Sequence, residues 1–143
     1  MAKIVKTITI EAPVGKVFSY VEEPANVPEY WPSVVEVKDV ESLPGGGFKY
    51  RWVYKMAGVR FEGGTETTEF VVNQRTVSEN TGGVSGTISW TYQSGTGKTQ
   101  VTFEAEYTVH IPLLRKLAES FLVKLNEQEA EALLANVKAK MEA

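Results

Sequence analysis

Few side chains in this sequence can do chemistry, and their types limit the reactions open to it. Of its 143 residues one is histidine, His110, one is aspartate, Asp39, and none is cysteine. A Ser-His-Asp triad would need both of the unique residues, thiolate nucleophiles and thiolate metal sites are excluded, and no two-histidine metal site can form within one chain. No metal and no cofactor is therefore expected. His110 stands just before Ile111-Pro112 and falls by strand parity on a polar face with Thr108 and Glu106, a surface position. What remains for acid–base work or for orienting a carbonyl is glutamate and tyrosine.

The elements that must position such groups belong to one domain, residues 1–143, a length that supports a single core. With 43% hydrophobic and 23% charged residues the composition is that of a soluble globular protein. Fifteen Lys and Arg against 18 Asp and Glu give a net charge of -3 with no basic block, so nucleic acid is not an expected partner. Met1-Ala2-Lys3-Ile4-Val5-Lys6 is charged within three residues and never becomes a continuous apolar stretch. A cytoplasmic protein without stable membrane insertion is expected, and the lack of cysteine fits a reducing compartment.

Ile4, Ile8 and Ile10 alternate with Val5, Thr7 and Thr9, predicting a strand to about Ala12 in which Lys6 is the odd member of the apolar set. Pro13 suits a first helical turn, and Val14, Val17, Phe18 and Val21 then predict a helix over 13–22. Pro24, Pro28 and Pro32 leave room only for a one- or two-turn helix ending near Tyr30-Trp31, followed by a strand over Val34–Val40.

Phe48, Tyr50, Trp52, Tyr54 and Met56 share one face of the next strand. A two-residue loop at Ala57-Gly58 sets Met56 opposite Val59, Tyr54 opposite Phe61, Trp52 opposite Gly63, Tyr50 opposite Thr65 and Lys49 opposite Glu66. Phe70 and Val72 break the alternation, which suggests a bulge near Thr68-Glu69. Gly82-Gly83 is a second turn signal, predicting Glu79 opposite Gly86, Val77 opposite Ile88 and Arg75 opposite Trp90. The loop around Thr96-Gly97 sets Tyr92 against Val101, Trp90 against Phe103, Ile88 against Ala105 and Gly86 against Tyr107. From Pro112 the period becomes helical, with Leu114, Leu117, Ala118, Phe121, Leu122, Leu125, Ala132, Leu133 and Val137 in one stripe. An unbroken helix over 112–142 would lie across the sheet.

Several strings in this order carry a resemblance: Ile10-Glu11-Ala12-Pro13-Val14, Pro28-Glu29-Tyr30-Trp31-Pro32, the Gly-rich turn before Tyr50-Arg51-Trp52, and Ile111-Pro112-Leu113-Leu114. They resemble the START-like (SRPBCC) superfamily, specifically its polyketide cyclase/dehydrase and coenzyme-Q-binding branch, over nearly the whole chain. The resemblance implies an α+β helix-grip fold: a curved seven-stranded antiparallel sheet around a long C-terminal helix, with two short helices after the first strand. It also implies an apolar cavity that holds a lipid, polyketide, quinone or similar molecule.

The residues point the same way, because buried tyrosines and tryptophans need polar partners that an aliphatic core does not supply. The expected ligand-binding set is Tyr50, Trp52, Tyr54, Phe61, Thr65, Trp90, Tyr92, Phe103 and Tyr107 from the sheet, and Leu117, Phe121 and Leu125 from the helix. Tyr30 and Trp31 are candidates for the cavity mouth, and Gly63 and Gly86 are expected to leave side-chain volume empty. Glu79, over Gly86 and near Tyr107, is either a solvated glutamate at the sheet rim or, with Tyr107, a candidate acid–base group, while Arg75 is expected to stack on Trp90 at the rim. Three functions remain open: a binder of a small hydrophobic molecule, a cyclase or dehydratase-type lyase in which Glu79 and Tyr107 shuttle protons, and an interaction module whose same groove accepts a partner's apolar segment, which a large exposed apolar patch at Tyr30-Trp31 would favour.

Overall fold

A computed structural model describes residues 2–117 and 119–143. Strand β1 (Ala2–Ile10) leads into helix α1 (Val14–Glu22), a single 3-10 turn over Pro24–Asn26 and the one-turn helix α2 (Val27–Tyr30). Strands β2 (Val34–Ser42), β3 (Phe48–Met56), β4 (Val59–Val71), β5 (Arg75–Gly82), β6 (Val84–Gly95) and β7 (Lys98–Val109) follow, then α3 (Pro112–Arg115) and α4 (Glu119–Glu142). The strands form one antiparallel sheet in the order β1-β7-β6-β5-β4-β3-β2. Near opposite ends of that order, Lys6 on β1 reaches Glu127 and Glu131 of α4, and Tyr54 on β3 reaches Glu129. One helix can meet both ends only if the sheet curls around it, which is the helix-grip arrangement. The ion pairs also account for a lysine among the inward isoleucines of β1: it lies at the helix edge rather than in the core.

Turn chemistry sets the β3–β4 hairpin as expected, since Ala57 and Gly58 both have positive φ, the conformation of a two-residue primed turn. All five predicted pairs are present, and the register shifts between Thr67 and Glu69, at the expected bulge. The β6–β7 pairs also match. Strand β2 runs two residues beyond expectation because a bulge at Asp39, whose φ is 55°, restores pairing at Glu41.

The β5–β6 register differs by one residue. Asn80, not Glu79, lies opposite Gly86, with Ser78 opposite Ile88 and Thr76 opposite Trp90. Gly82-Gly83 is not a two-residue hairpin: β5 stays with β4 through Gly82↔Gly63, while β6 pairs with β7 through Val84↔Val109. The two strands splay at their tips, and a one-residue slip moves every β5 side chain to the other face. Glu79 is therefore exposed on the outer face opposite Thr87, and Arg75 pairs with Thr91 and Glu69 instead of stacking on Trp90.

The C-terminal helix is likewise two pieces rather than one, and its buried face is Leu122, Asn126, Ala130, Leu133, Leu134, Val137 and Met141. Ala132 and Phe121 are exposed, and Ala118 lies outside the described residues. The apolar stripe misplaces this face because two positions turned towards the sheet, Asn126 and Glu129, are polar and matched to polar partners. No described helix is long and apolar enough to cross a membrane.

Candidate functional site

Between the inner face of the sheet and α4 lies a cavity of about 140 Å³. Its aromatic wall is built by period-two alternation on β3, β6 and β7, which brings Tyr50, Trp52, Tyr54, Trp90 and Phe103 to one face. Tyr30 and Trp31 close it from the α2 side, and Tyr107 and Thr65 also line it. Tyr30 is 2% exposed, its hydroxyl donating to the Val21 carbonyl at 3.0 Å, so it is wall rather than an open patch. This pair therefore offers no open apolar patch of the kind that would favour an interaction module.

Other expected residues lie elsewhere. Phe61 and Tyr92 are buried behind the wall, and Leu125 is partly buried against the core. Leu117 lines a separate outer depression of about 320 Å³, divided from the cavity by Tyr107 and Asn126, which border both. Phe121 is 53% exposed. Gly63 and Gly86 leave no empty volume: a Cβ on Gly63 would lie 2.4 Å from the Trp52 ring, and one on Gly86 would lie 1.9 Å from the Glu106 carbonyl oxygen. His110 is exposed, with Nε2 2.6 Å from the Ser85 hydroxyl.

A polar stripe crosses the wall along β4 and β5. Trp52 Nε1–H donates to Thr65 Oγ1 at 2.9 Å, and the Thr65 hydroxyl donates to Asn80 Oδ1; Ser78 extends the stripe. Trp52 and Thr65 were expected here, but the β5 members were not, because the one-residue slip turns Thr76, Ser78 and Asn80 inward and leaves Val77 outward, against the usual pattern. A face that borders a cavity tolerates this inversion, since its hydroxyls and amides hydrogen-bond one another.

Two carboxylates were also missed, because in sequence each looks like a solvated position of an amphipathic helix. Glu129 accepts from Trp31 Nε1–H at 2.5 Å and from the hydroxyls of Tyr54 and Ser33, tying α4 to β3 and to the chain before β2. Glu22, the last residue of α1, accepts from the Tyr92 hydroxyl at 2.5 Å and the Thr76 hydroxyl at 2.9 Å, both on Oε2. Tyr107 accepts from Asn126 Nδ2 at 2.7 Å. Burial lifts the hydroxyls of Tyr30, Tyr54 and Tyr92 well above the usual phenol range, and burial plus the Glu22 charge push Tyr50 up to about 12, so all four are neutral at ordinary pH.

The polyketide cyclase/dehydrase and lipid transport family model matches residues 1–142. The chain belongs to that family. Solved structures with the same fold include a protein from Thermus thermophilus, 19% identical with a TM-score of 0.85, covering 99% of this chain and 97% of that one. A START superfamily protein from Mycobacterium smegmatis is 15% identical over 98% of this chain and 97% of that one, with a TM-score of 0.82. The ZhuI aromatase/cyclase from a Streptomyces species is 15% identical over 99% of this chain and 93% of that one, with a TM-score of 0.82. No curated protein sequence matches the chain.

Within this family member Glu22 is the carboxyl whose value burial raises, and its titration bears on stability. Burial raises its carboxyl above the ordinary range, against the hydrogen bonds from Tyr92 and Thr76 that lower it. The folded state then holds the proton to higher pH than the unfolded state does, so the associated stability is present in acid and is lost as pH rises through the raised folded value. Between about pH 4 and pH 8, the Tm of the parent is expected to fall relative to that of Glu22→Gln. Parallel curves, or a parent that gains on the variant, would contradict a raised value.

Proposed function

We propose that this protein binds a small hydrophobic molecule in the cavity between the sheet and α4. The observation that carries the reading is unfilled space faced by aromatic rings: Tyr50, Trp52, Trp90 and Phe103 border about 140 Å³ that no side chain occupies. An apolar molecule seated against these rings gains contact energy and leaves water, the usual basis of small-molecule binding in such sites. The stripe of Thr65, Ser78 and Asn80 adds the few polar groups that orient a ligand in an otherwise apolar site. Membership of a polyketide cyclase/dehydrase and lipid transport family supports the same reading.

Native mass spectrometry of the purified protein is expected to show a small molecule that is released on denaturation. A neutral solvatochromic naphthalene dye should also shift its emission and quench Trp52 or Trp90. Protein that is ligand-free and leaves the dye unchanged up to its solubility limit would overturn the proposal.

A second reading, a cyclase or dehydratase-type lyase acting on a polyketide-like chain, is favoured by one observation. Glu22 is a carboxyl of raised pKa on the cavity wall, the property wanted in a general acid, whereas exposed Glu79 has no access to the cavity. Aromatic product from a poly-β-keto substrate, with turnover slowed about 10²–10⁴-fold by Glu22→Gln, is the result this reading requires. The similarity to an aromatase/cyclase fold makes the substrate class the natural one to assay.

A further inference from the structure

Among the described residues the charged groups lining the cavity are Glu22 and Glu129, and no lysine, arginine or histidine joins them. Their situations differ. Glu129 has donors on both oxygens, from Trp31 and Tyr54 on Oε1 and from Ser33 on Oε2. Glu22 has both of its donors on Oε2, leaving Oε1 without a donor among the described residues.

Glu22 also ends α1, with no basic residue in the last turn. The negative end of the helix dipole therefore adds to the carboxylate instead of being offset by a cation. Aromatic residues share this end of the cavity: the Tyr92 hydroxyl bonds Glu22, Tyr30, Tyr50 and Trp90 line the cavity with it, and the Glu22 charge reaches the hydroxyls of Tyr30 and Tyr50. A carboxylate with a free oxygen and a helix C-terminus both attract positive charge. Nothing on the wall would neutralise a ligand carboxylate or phosphate, whose burial unpaired is costly.

We infer that the ligand is an organic amine: an aromatic or apolar body seated on Trp52, Trp90 and Phe103, with its ammonium group donating to Glu22 Oε1. The inference rests on the reading that the cavity binds a hydrophobic molecule, and it adds the sign of the polar end. Fatty acids and other carboxylates are thereby disfavoured.

Three probes of nearly equal size separate the possibilities: naphthylmethylamine, a cation at neutral pH, the uncharged naphthylmethanol, and the anion naphthoate. Calorimetric titration of the full chain is expected to show the amine binding about tenfold or more tighter than the alcohol, the worth of a hydrogen bond to a charged group. Naphthoate is expected to bind at least about tenfold weaker than the alcohol. In Glu22→Gln the amine-to-alcohol ratio should collapse to within about threefold. If the alcohol binds and the amine binds no better, if naphthoate rivals the amine, or if the amine preference survives Glu22→Gln, the assignment is overturned while hydrophobic binding stands. If none of the three binds, both readings fail. The comparison among probes on the parent protein decides the matter even where the variant does not fold.

Discussion

Replacing Gly86 by alanine is expected to destabilise the protein by about 3 kcal/mol or more, enough to remove much of the stability of a domain this size. The reason is backbone geometry. Gly86 has φ 144°, which L residues rarely adopt, and its Cβ would lie 1.9 Å from the Glu106 carbonyl oxygen and 2.8 Å from the Tyr107 Cα. Neither is a flexible side chain that can step aside, because both belong to the paired strand β7. Gly86 lies where β5 and β6 part, and the close approach of β7 there lets the sheet bend towards α4. Gly15→Ala on α1 is the control. No atom lies within 4 Å of its Cβ position and its φ is ordinary, so the change should stabilise by about 0.4–1 kcal/mol through the unfolded chain and helix propensity. Denaturant titration of both variants checks the pair, and a Gly86→Ala protein within about 1 kcal/mol of the parent would show that the strand relaxes around the new methyl.

Replacing Glu129 by leucine is expected to cost roughly 2–4 kcal/mol, or about 5–15 °C in Tm. Three donors from two parts of the chain converge on this one carboxylate: the Trp31 indole and the Ser33 hydroxyl before β2, and the Tyr54 hydroxyl on β3. Leucine would leave them unpaired in a partly buried site, and each unsatisfied donor is penalised by about 1–3 kcal/mol before relaxation or entering water reduces the sum. Glu129→Gln keeps an acceptor oxygen, so its loss should be under about 1.5 kcal/mol. The contrast between the two variants in thermal melts is the measurement; equal losses would mean that the side chain acts through bulk or charge alone. Because Trp31 and Tyr54 are also cavity walls, ligand affinity should fall with Glu129→Leu as the wall loosens.

Much of the architecture follows from local rules. Alternating aromatics on β3, a positive-φ turn at Ala57-Gly58 and the pairing of Trp90 with Phe103 set the registers of two hairpins, since each is specified by contacts between near neighbours in sequence. The sheet-lining aromatics Tyr50, Trp52, Tyr54 and Trp90 were legible for the same reason. The family was legible through a resemblance instead, carried by strings such as Ile10-Glu11-Ala12-Pro13-Val14 and Ile111-Pro112-Leu113-Leu114.

Tertiary structure alone decided the polar half of the site. The β5 register depends on where Gly82 meets Gly63 and where β6 leaves for β7, long-range events that a glycine pair in sequence does not reveal. That single residue of slip exchanged Glu79 for Asn80 and made Thr76, Ser78 and Asn80 inward-facing. Glu22 and Glu129 look in sequence like the solvated ends and faces of amphipathic helices. Their roles exist only because Tyr92, Thr76, Trp31, Ser33 and Tyr54 arrive from distant strands and loops to bond them. Hydrophobic periodicity reports which residues avoid water, and so it identifies an apolar wall; it is silent on buried polar groups, whose cost is offset only by partners that folding brings.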